Sequence, residues 1–193
     1  MADKPARAFA IEGNMHRFRL VCPLLLLLAL GACGTGSSGL RAGGYVGGRV
    51  ALECAPFARA LTGVNLSGDA ADWWWQAEGR YARSFTPEIG SVLVFRRSAR
   101  LPSGHAAVVS RVISPRQLLV TQANWVHHRV TEDQPVIDVS ARGDWSEVRV
   151  WWPPAGRMGM TDYPTFGFIR AQRPMSHAQI VAETPGAIRL ADR

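Results

Sequence analysis

The chain has 193 residues, of which 47% are hydrophobic, and a formal net charge of +7. This length allows one domain with a substantial core. Residues 1–32 carry a net charge of +2, which leaves +5 for the remainder, where arginine occurs but lysine does not. Because no Lys/Arg cluster or nucleic-acid motif is present, the charge does not indicate nucleic-acid binding. It suits an anionic partner such as a cell-wall polymer or lipid headgroups.

The N-terminal segment is typical of a bacterial export signal. A short basic region, residues 15–19, precedes an apolar run, residues 20–30, with five consecutive leucines. The run is too short for a comfortable transmembrane helix and ends in small residues, as signal peptides do. We therefore predict a signal peptide over residues 1–32, with Met15 as an alternative start. The following Leu30-Gly31-Ala32-Cys33 resembles a lipobox, which implies that Cys22 is discarded and Cys33 is acylated.

The remaining boundaries follow from composition. Residues 34–48 are rich in glycine, so we predict a flexible tether over residues 33–48 between the lipid and the domain. The domain is predicted over residues 49–170. Residues 171–193 have no clear periodicity and are interpreted as a C-terminal surface tail.

Cys54 is then the only free thiol, and it begins a predicted helix. A lone exported cysteine with histidines downstream is a candidate nucleophile, and a small buried hydrophobe is the alternative. Pro56 fits a first helical turn, Phe57 and Leu61 share one face, and Gly63 ends the helix. Because the positive end of the helix dipole stabilises a thiolate, we expect a lowered pKa at Cys54.

Three consecutive tryptophans lie in a second predicted helical segment, residues 69–82. Neighbouring side chains on a helix point in different directions, so Trp73, Trp74 and Trp75 cannot all face one core. Packing in the core is the favoured interpretation for one or two of them. Trp73, Trp74 and the later Trp125 are also candidates to line a substrate groove.

Strand patterns dominate from Gly90 onward. They predict strands over residues 91–95, 105–113, 117–124, 136–139 and 148–152, with 167–169 as a last edge. Short strands joined by hairpins after helices indicate an α+β domain, in which N-terminal helices pack on an antiparallel sheet of about five to six strands.

The predicted hairpin around Pro115 provides a geometric argument for the site. It places His105 opposite the region of Asn124 and Trp125, with Gln122 further along the partner strand. Either Gln122 or Asn124 can then accept a hydrogen bond from the imidazole, because cross-strand neighbours lie within reach of each other.

An ordered set of motifs over about residues 45–152 resembles the CHAP domain, the cysteine, histidine-dependent amidohydrolases/peptidases related to NlpC-type and papain-like peptidases. The matching motifs are Glu53-Cys54-Ala55, Ala70 and Trp73, Pro87-Glu88-Ile89-Gly90-Ser91-Val92, Gly104-His105-Ala106-Ala107-Val108-Val109 and Gln122-Ala123-Asn124-Trp125. The resemblance implies that Cys54 is the nucleophile and His105 the base. The family commonly has a glutamate where Gln122 stands, and Asn124 matches the family's asparagine. A glutamine orients an imidazole without stabilising its cation by a full charge.

The resemblance implies an enzyme that cleaves amide bonds of peptidoglycan through a thiolate–imidazolium pair and an acyl-enzyme, as an endopeptidase or an N-acetylmuramoyl-L-alanine amidase. Its partners are stem peptides or cross-bridges, and no cofactor or metal is implied. A monomer held at the periplasmic side of the membrane by lipid on Cys33 is expected, with Gly34 favouring the outer membrane. Two alternatives stay open: an inactive, wall-binding CHAP-like lipoprotein, and a structural lipoprotein with a buried Cys54.

Overall fold

The computed structural model describes residues 41–192, and within them the chain forms an α+β domain of three α-helices and nine strands. The predicted signal peptide, Cys33 and the first part of the tether lie outside the described residues. The helices are α1 (Cys54–Thr62), α2 (Trp73–Gln76) and α3 (His177–Ala191). The strands are β1 (Tyr45–Val46), β2 (Arg83–Ser84), β3 (Val92–Phe95), β4 (His105–Ser114), β5 (Gln117–Ala123), β6 (Val130–Asp138), β7 (Glu147–Trp152), β8 (Arg157–Met158) and β9 (Tyr163–Ile169).

Six antiparallel strands close into a barrel. They pair in the order β6, β5, β4, β3, β9, β7, and β7 pairs back with β6. The short strands β1, β2 and β8 extend from β6, β9 and β7. Closure leaves few unpaired strand edges. The expected segment 167–169 is not an edge strand, because it pairs with β3 on one side and with β2 on the other.

Alternation along the strands divides the core into two clusters. On β3, Leu93 and Phe95 belong to a cluster shared with the other barrel strands, whereas Val92 and Val94 belong to a cluster shared with the helices. All four side chains are buried, as expected for strands covered on both faces. Helix α1 packs on this outer face beside β4. The beginning of α1 is thereby brought to the beginning of β4.

The prediction of a C-terminal tail is wrong, because residues 177–191 form the longest helix of the described residues and this helix packs against α1. Ser176 and Gln179 form a reciprocal capping box at its start. The buried face consists of Ile180, Thr184 and Ala187. Thr184 is polar and Ala187 is small, so the apolar periodicity is weak although the spacing is helical. Pro185 lies inside the helix, where the sequence alone argues against a helix. Not all helices are therefore N-terminal to the sheet.

The structure also corrects two boundaries. Tyr45 and Val46, predicted within the tether, pair with Thr131 and Val130 as strand β1, so the ordered domain begins before residue 49. The segment over residues 69–82 is less helical than expected: a 3-10 turn at residues 70–72 leads into the four-residue α2, and a strand follows at residues 83–84.

Other predictions are confirmed. Helix α1 begins at Cys54 and is terminated by its C-cap Gly63, which has a φ of 74° and donates its N–H to the Arg59 carbonyl. The hairpin between β4 and β5 turns at Pro115 and Arg116, with Val108 opposite Thr121. Among the described residues, no helix combines the length and apolar character needed to cross a membrane.

Candidate active site

A cleft of about 560 Å³ lies where the beginning of α1 meets the beginning of β4. Cys54, His105 and Asn124 all line it, together with Glu53 and Arg100. Cys54 is the first residue of α1, and His105 is the first residue of β4. The α1–β4 packing therefore brings together a thiol and an imidazole that are far apart in sequence, as the sequence predicts.

His105 is held rigidly by its neighbours. The preceding Gly104 has a φ of 70°, a conformation that favours glycine, and a Cβ there would lie 2.6 Å from the carbonyl oxygen of Phe95. The imidazole is buried, with the rings of Phe95 and Trp125 at centroid distances of 5.4 Å and 5.1 Å. Aromatic packing on two sides restricts the orientation of the ring.

Gln122 completes the positioning of the imidazole. Its Oε1 lies 2.9 Å from Nε2 of His105, and both side chains are buried. With the glutamine carbonyl as acceptor, Nε2 carries the proton and Nδ1 is free to accept one. Of the two partners left open by the sequence, Gln122 is the one that hydrogen-bonds to His105.

Asn124 has a different position. It lies just after β5 with a φ of 58°, which asparagine tolerates better than most residues. Its Oδ1 accepts the N–H of His128 at 2.9 Å, and its Nδ2 donates to Oε2 of Glu53 at 2.8 Å. Asn124 therefore closes a turn and fixes the carboxylate beside Cys54.

The electrostatics favour neutral forms of both reactive groups. Burial lowers the pKa of His105 to about 4, against smaller upward effects of the Gln122 hydrogen bond and the Glu53 charge. Burial also raises the pKa of the Cys54 thiol, and the negative charge of Glu53 raises it further. The backbone N–H groups of Ala106, Ala55 and Cys54 oppose this shift without reversing it. The expected lowering of the Cys54 pKa by the helix N-terminus is therefore wrong, because desolvation outweighs the helix.

The three tryptophans proposed for the groove have different surroundings. Trp73 is fully buried, and Trp74 stacks on Phe166 at a centroid distance of 5.9 Å. Neither lines the cleft, so packing accounts for both, whereas Trp75 is 61% exposed. Trp125 lies against His105 and lines an adjoining cavity.

Two residues of the cleft were missed as site residues from the sequence. Glu53 belongs to the motif at the start of α1, and its position directly before the thiol was the available signal. Arg100 lies in the connection between β3 and β4, where nothing in the sequence distinguishes it from other surface arginines.

Comparison with known families agrees with this geometry. The model of the CHAP domain matches residues 43–124, a range that includes Cys54, His105, Gln122 and Asn124. This part of the chain is therefore a CHAP domain. Members of that family are generally hydrolytic amidases or peptidases, so the match indicates a function of the peptidoglycan-hydrolase type. A comparison with curated proteins finds no match.

Proposed function

We propose that the chain is a cysteine hydrolase that cleaves an amide bond of peptidoglycan, with Cys54 as nucleophile, His105 as general base and Gln122 as the residue that positions the imidazole. The observation that carries the proposal is the convergence of thiol and imidazole in one cleft, with the imidazole held by Gln122 at 2.9 Å. The family match supports the reaction class.

The reaction begins from a neutral thiol and a neutral imidazole, in place of the ion pair expected from the sequence. Nδ1 of His105 accepts the thiol proton as the sulfur forms a bond to the substrate carbonyl carbon. Backbone N–H groups around the sulfur stabilise the negative charge that develops on the substrate carbonyl oxygen. These are the N–H groups of Ala106, Ala55 and Cys54. The imidazolium then protonates the departing amine as the C–N bond breaks. Water, deprotonated by His105, attacks the thioester and releases the carboxylate and the thiol.

The membrane location is part of the proposal. The lipobox-like sequence before Cys33 supports acylation and anchoring of the domain at the periplasmic face of the outer membrane. Cys33→Ala is expected to move the protein from the membrane to the soluble fraction. Retention of this variant in membranes would contradict the anchor without bearing on the reaction.

The second candidate function is a wall-binding module without hydrolytic activity. Two observations favour it: the neutral Gln122 beside His105, and the raised pKa of the Cys54 thiol, which reduces its thiolate fraction at neutral pH. In this case the cleft binds stem peptides and releases no product.

Release of soluble fragments from dye-labelled peptidoglycan separates the two functions. The full chain is expected to release fragments under reducing conditions, and Cys54→Ala and His105→Ala are expected to release none while still binding the polymer. Ser67→Ala, an exposed change in the connection after α1, is the control that retains activity. Equal release by Cys54→Ala would contradict the proposal, and binding without release by every form would favour the wall-binding module.

A further inference from the structure

A second cavity, of about 390 Å³, adjoins the candidate active site and has both aromatic and cationic walls. Trp125, Trp152 and Tyr163 supply rings, and Arg100 and Arg157 supply guanidinium groups. Trp152 and Arg157 face each other across the hairpin of β7 and β8. This hairpin lies beyond residues 43–124, so the family match does not account for this part of the cavity.

The cavity adjoins the catalytic cleft. Arg100 lines both, and Trp125, which lines the cavity, packs against His105, which lines the cleft. The Trp125 ring is 5.1 Å from the His105 ring and 5.1 Å from the Tyr163 ring, centroid to centroid. A ligand group against Trp125 in the cavity is therefore one aromatic ring away from the proposed general base.

The charges of the cavity have no partner among the described residues. The guanidinium groups of Arg100 and Arg157 make neither a hydrogen bond nor an ion pair with another residue in this part of the chain, and both residues are exposed. Some exposed arginines are paired, such as Arg97 with Asp69 and Asp72 and Arg149 with Asp162. Arg111 and Arg189 are also exposed and unpaired in this part of the chain, so Arg100 and Arg157 are distinguished by the aromatic walls beside them. Two unpaired guanidinium groups beside aromatic walls match a ligand that carries a carboxylate next to an apolar portion, because a guanidinium can bind a carboxylate in a bidentate manner.

We propose that this cavity is a substrate subsite, in which Arg100 and Arg157 bind a free carboxylate of the stem peptide while Trp152 and Tyr163 contact its apolar part. This inference rests on the proposed function, because it assumes a peptidoglycan peptide as substrate. It makes Arg100 and Arg157 specificity-determining residues of the reaction. Stem peptides with free carboxylates are then selected over stem peptides whose carboxylates are amidated.

Binding is measured by calorimetry on the full chain carrying Cys54→Ala, which prevents turnover. The probes are a synthetic stem tetrapeptide with free carboxylates and the same peptide with every carboxylate amidated. The free form is expected to bind about tenfold more tightly, as charge-assisted hydrogen bonds to arginine predict. Arg100→Gln and Arg157→Gln are expected to reduce this preference, and Arg111→Gln, an exposed arginine on β4 outside both cavities, is expected to keep it. Equal binding of the two peptides, binding of neither, or the same loss in Arg111→Gln would overturn the subsite.

Kinetics on the chain with Cys54 intact separate this inference from the proposed function. Arg157→Gln is expected to raise KM for the free-carboxylate peptide about tenfold with little change in kcat, because the residue does not touch the reacting atoms. Hydrolysis that does not distinguish the two peptides would overturn the subsite and leave the hydrolase intact. Carboxylate-dependent binding without hydrolysis by any form would overturn the hydrolase and leave the subsite.

Discussion

The imidazole of His105 is buried, and its hydrogen-bond partner is an uncharged amide. A carboxylate at position 122 would stabilise the imidazolium, whereas Gln122 fixes the ring and supplies no charge. Burial lowers the pKa of His105 to about 4, and the hydrogen bond to the uncharged Gln122 offsets only part of this shift. Together with the raised thiol pKa, this favours a mechanism in which His105 accepts the proton while the thiol attacks. A thiolate–imidazolium pair formed before the attack is disfavoured. Burial thus favours the neutral form of both groups, and the residue at position 122 determines how far the imidazolium is stabilised.

Gln122→Glu tests this charge state. The added negative charge is expected to raise the pKa of His105 by about one to three units, since a nearby opposite charge favours the imidazolium. The base must be neutral in the free enzyme, so activity is lost as pH falls through its pKa. The acid limb of kcat/KM should therefore move from near pH 4 to higher pH. Gln117→Glu, at the other end of β5, is the matched control, and the same shift in both variants would contradict a local effect.

Glu53→Gln tests the second charge of the site. The carboxylate of Glu53 raises the pKa of the Cys54 thiol, so its removal is expected to lower that pKa and to increase alkylation of Cys54 by iodoacetamide severalfold at pH 7.5. Asn124 can still donate to the new amide oxygen, so the contact between positions 53 and 124 is retained. The rate is followed by mass spectrometry of the Cys54 peptide, with Glu147→Gln on β7 as control. Slower alkylation in Glu53→Gln would contradict this assignment.

At the scale of elements, the site depends on the close approach of the β3–β4 connection to the turn before α2. Gly104 packs against the backbone nitrogen and Cβ of Ala71, and the N–H of Ala71 donates to the carbonyl of Ser103 at 3.1 Å. This contact fixes the residue before His105. The position of the imidazole is therefore set by the packing of two connections, as well as by the strand to which it belongs.

Gly104→Ala is expected to lower the free energy of unfolding by about 2 kcal/mol or more, because a Cβ meets Phe95 and Ala71 in a strained conformation. Gly79→Ala is the matched control, since Gly79 has nearly the same φ, 71°, with nothing within 4 Å of the added Cβ. The free energy of unfolding of both variants is measured by urea denaturation. Both carry the backbone strain of a positive φ, so the difference between them gives the cost of the clash. Equal losses in the two would contradict a role for the close approach.

The C-terminal helix makes a separate prediction. Ile180 is fully buried between α3 and the rest of the core, whereas its neighbour Val181 is 38% exposed. Ile180→Ala is expected to lower the free energy of unfolding by about 3 kcal/mol, within the range for buried aliphatic truncations, and Val181→Ala by much less. Denaturation of the two variants compares them directly, and a similar small effect in both would mean that α3 is dispensable to the fold.

For the molecule as a whole, local signals predicted the elements that hold the site, and long-range pairing determined the rest. Pro56 and Gly63 delimit α1, and Pro115 marks the hairpin that carries His105 and Gln122. Closure of the barrel through β9 depends on pairing of residues 163–169 with two distant strands, which no local pattern reports. The pKa of Cys54 is raised mainly by burial, which results from tertiary packing and is not visible in the local sequence. The apolar face of α3 is too weak to predict a helix from the sequence.

The bond that is cleaved tests the central claim most directly. Purified peptidoglycan is digested by the full chain in water enriched in ¹⁸O, and the released fragments are analysed by mass spectrometry beside a Cys54→Ala digest. The account predicts fragments with one new amine end and one new carboxyl end that carries a single ¹⁸O, and their absence with Cys54→Ala. Fragments cut in the glycan chain, or amide cleavage that persists in Cys54→Ala, would contradict hydrolysis by the Cys54–His105 site.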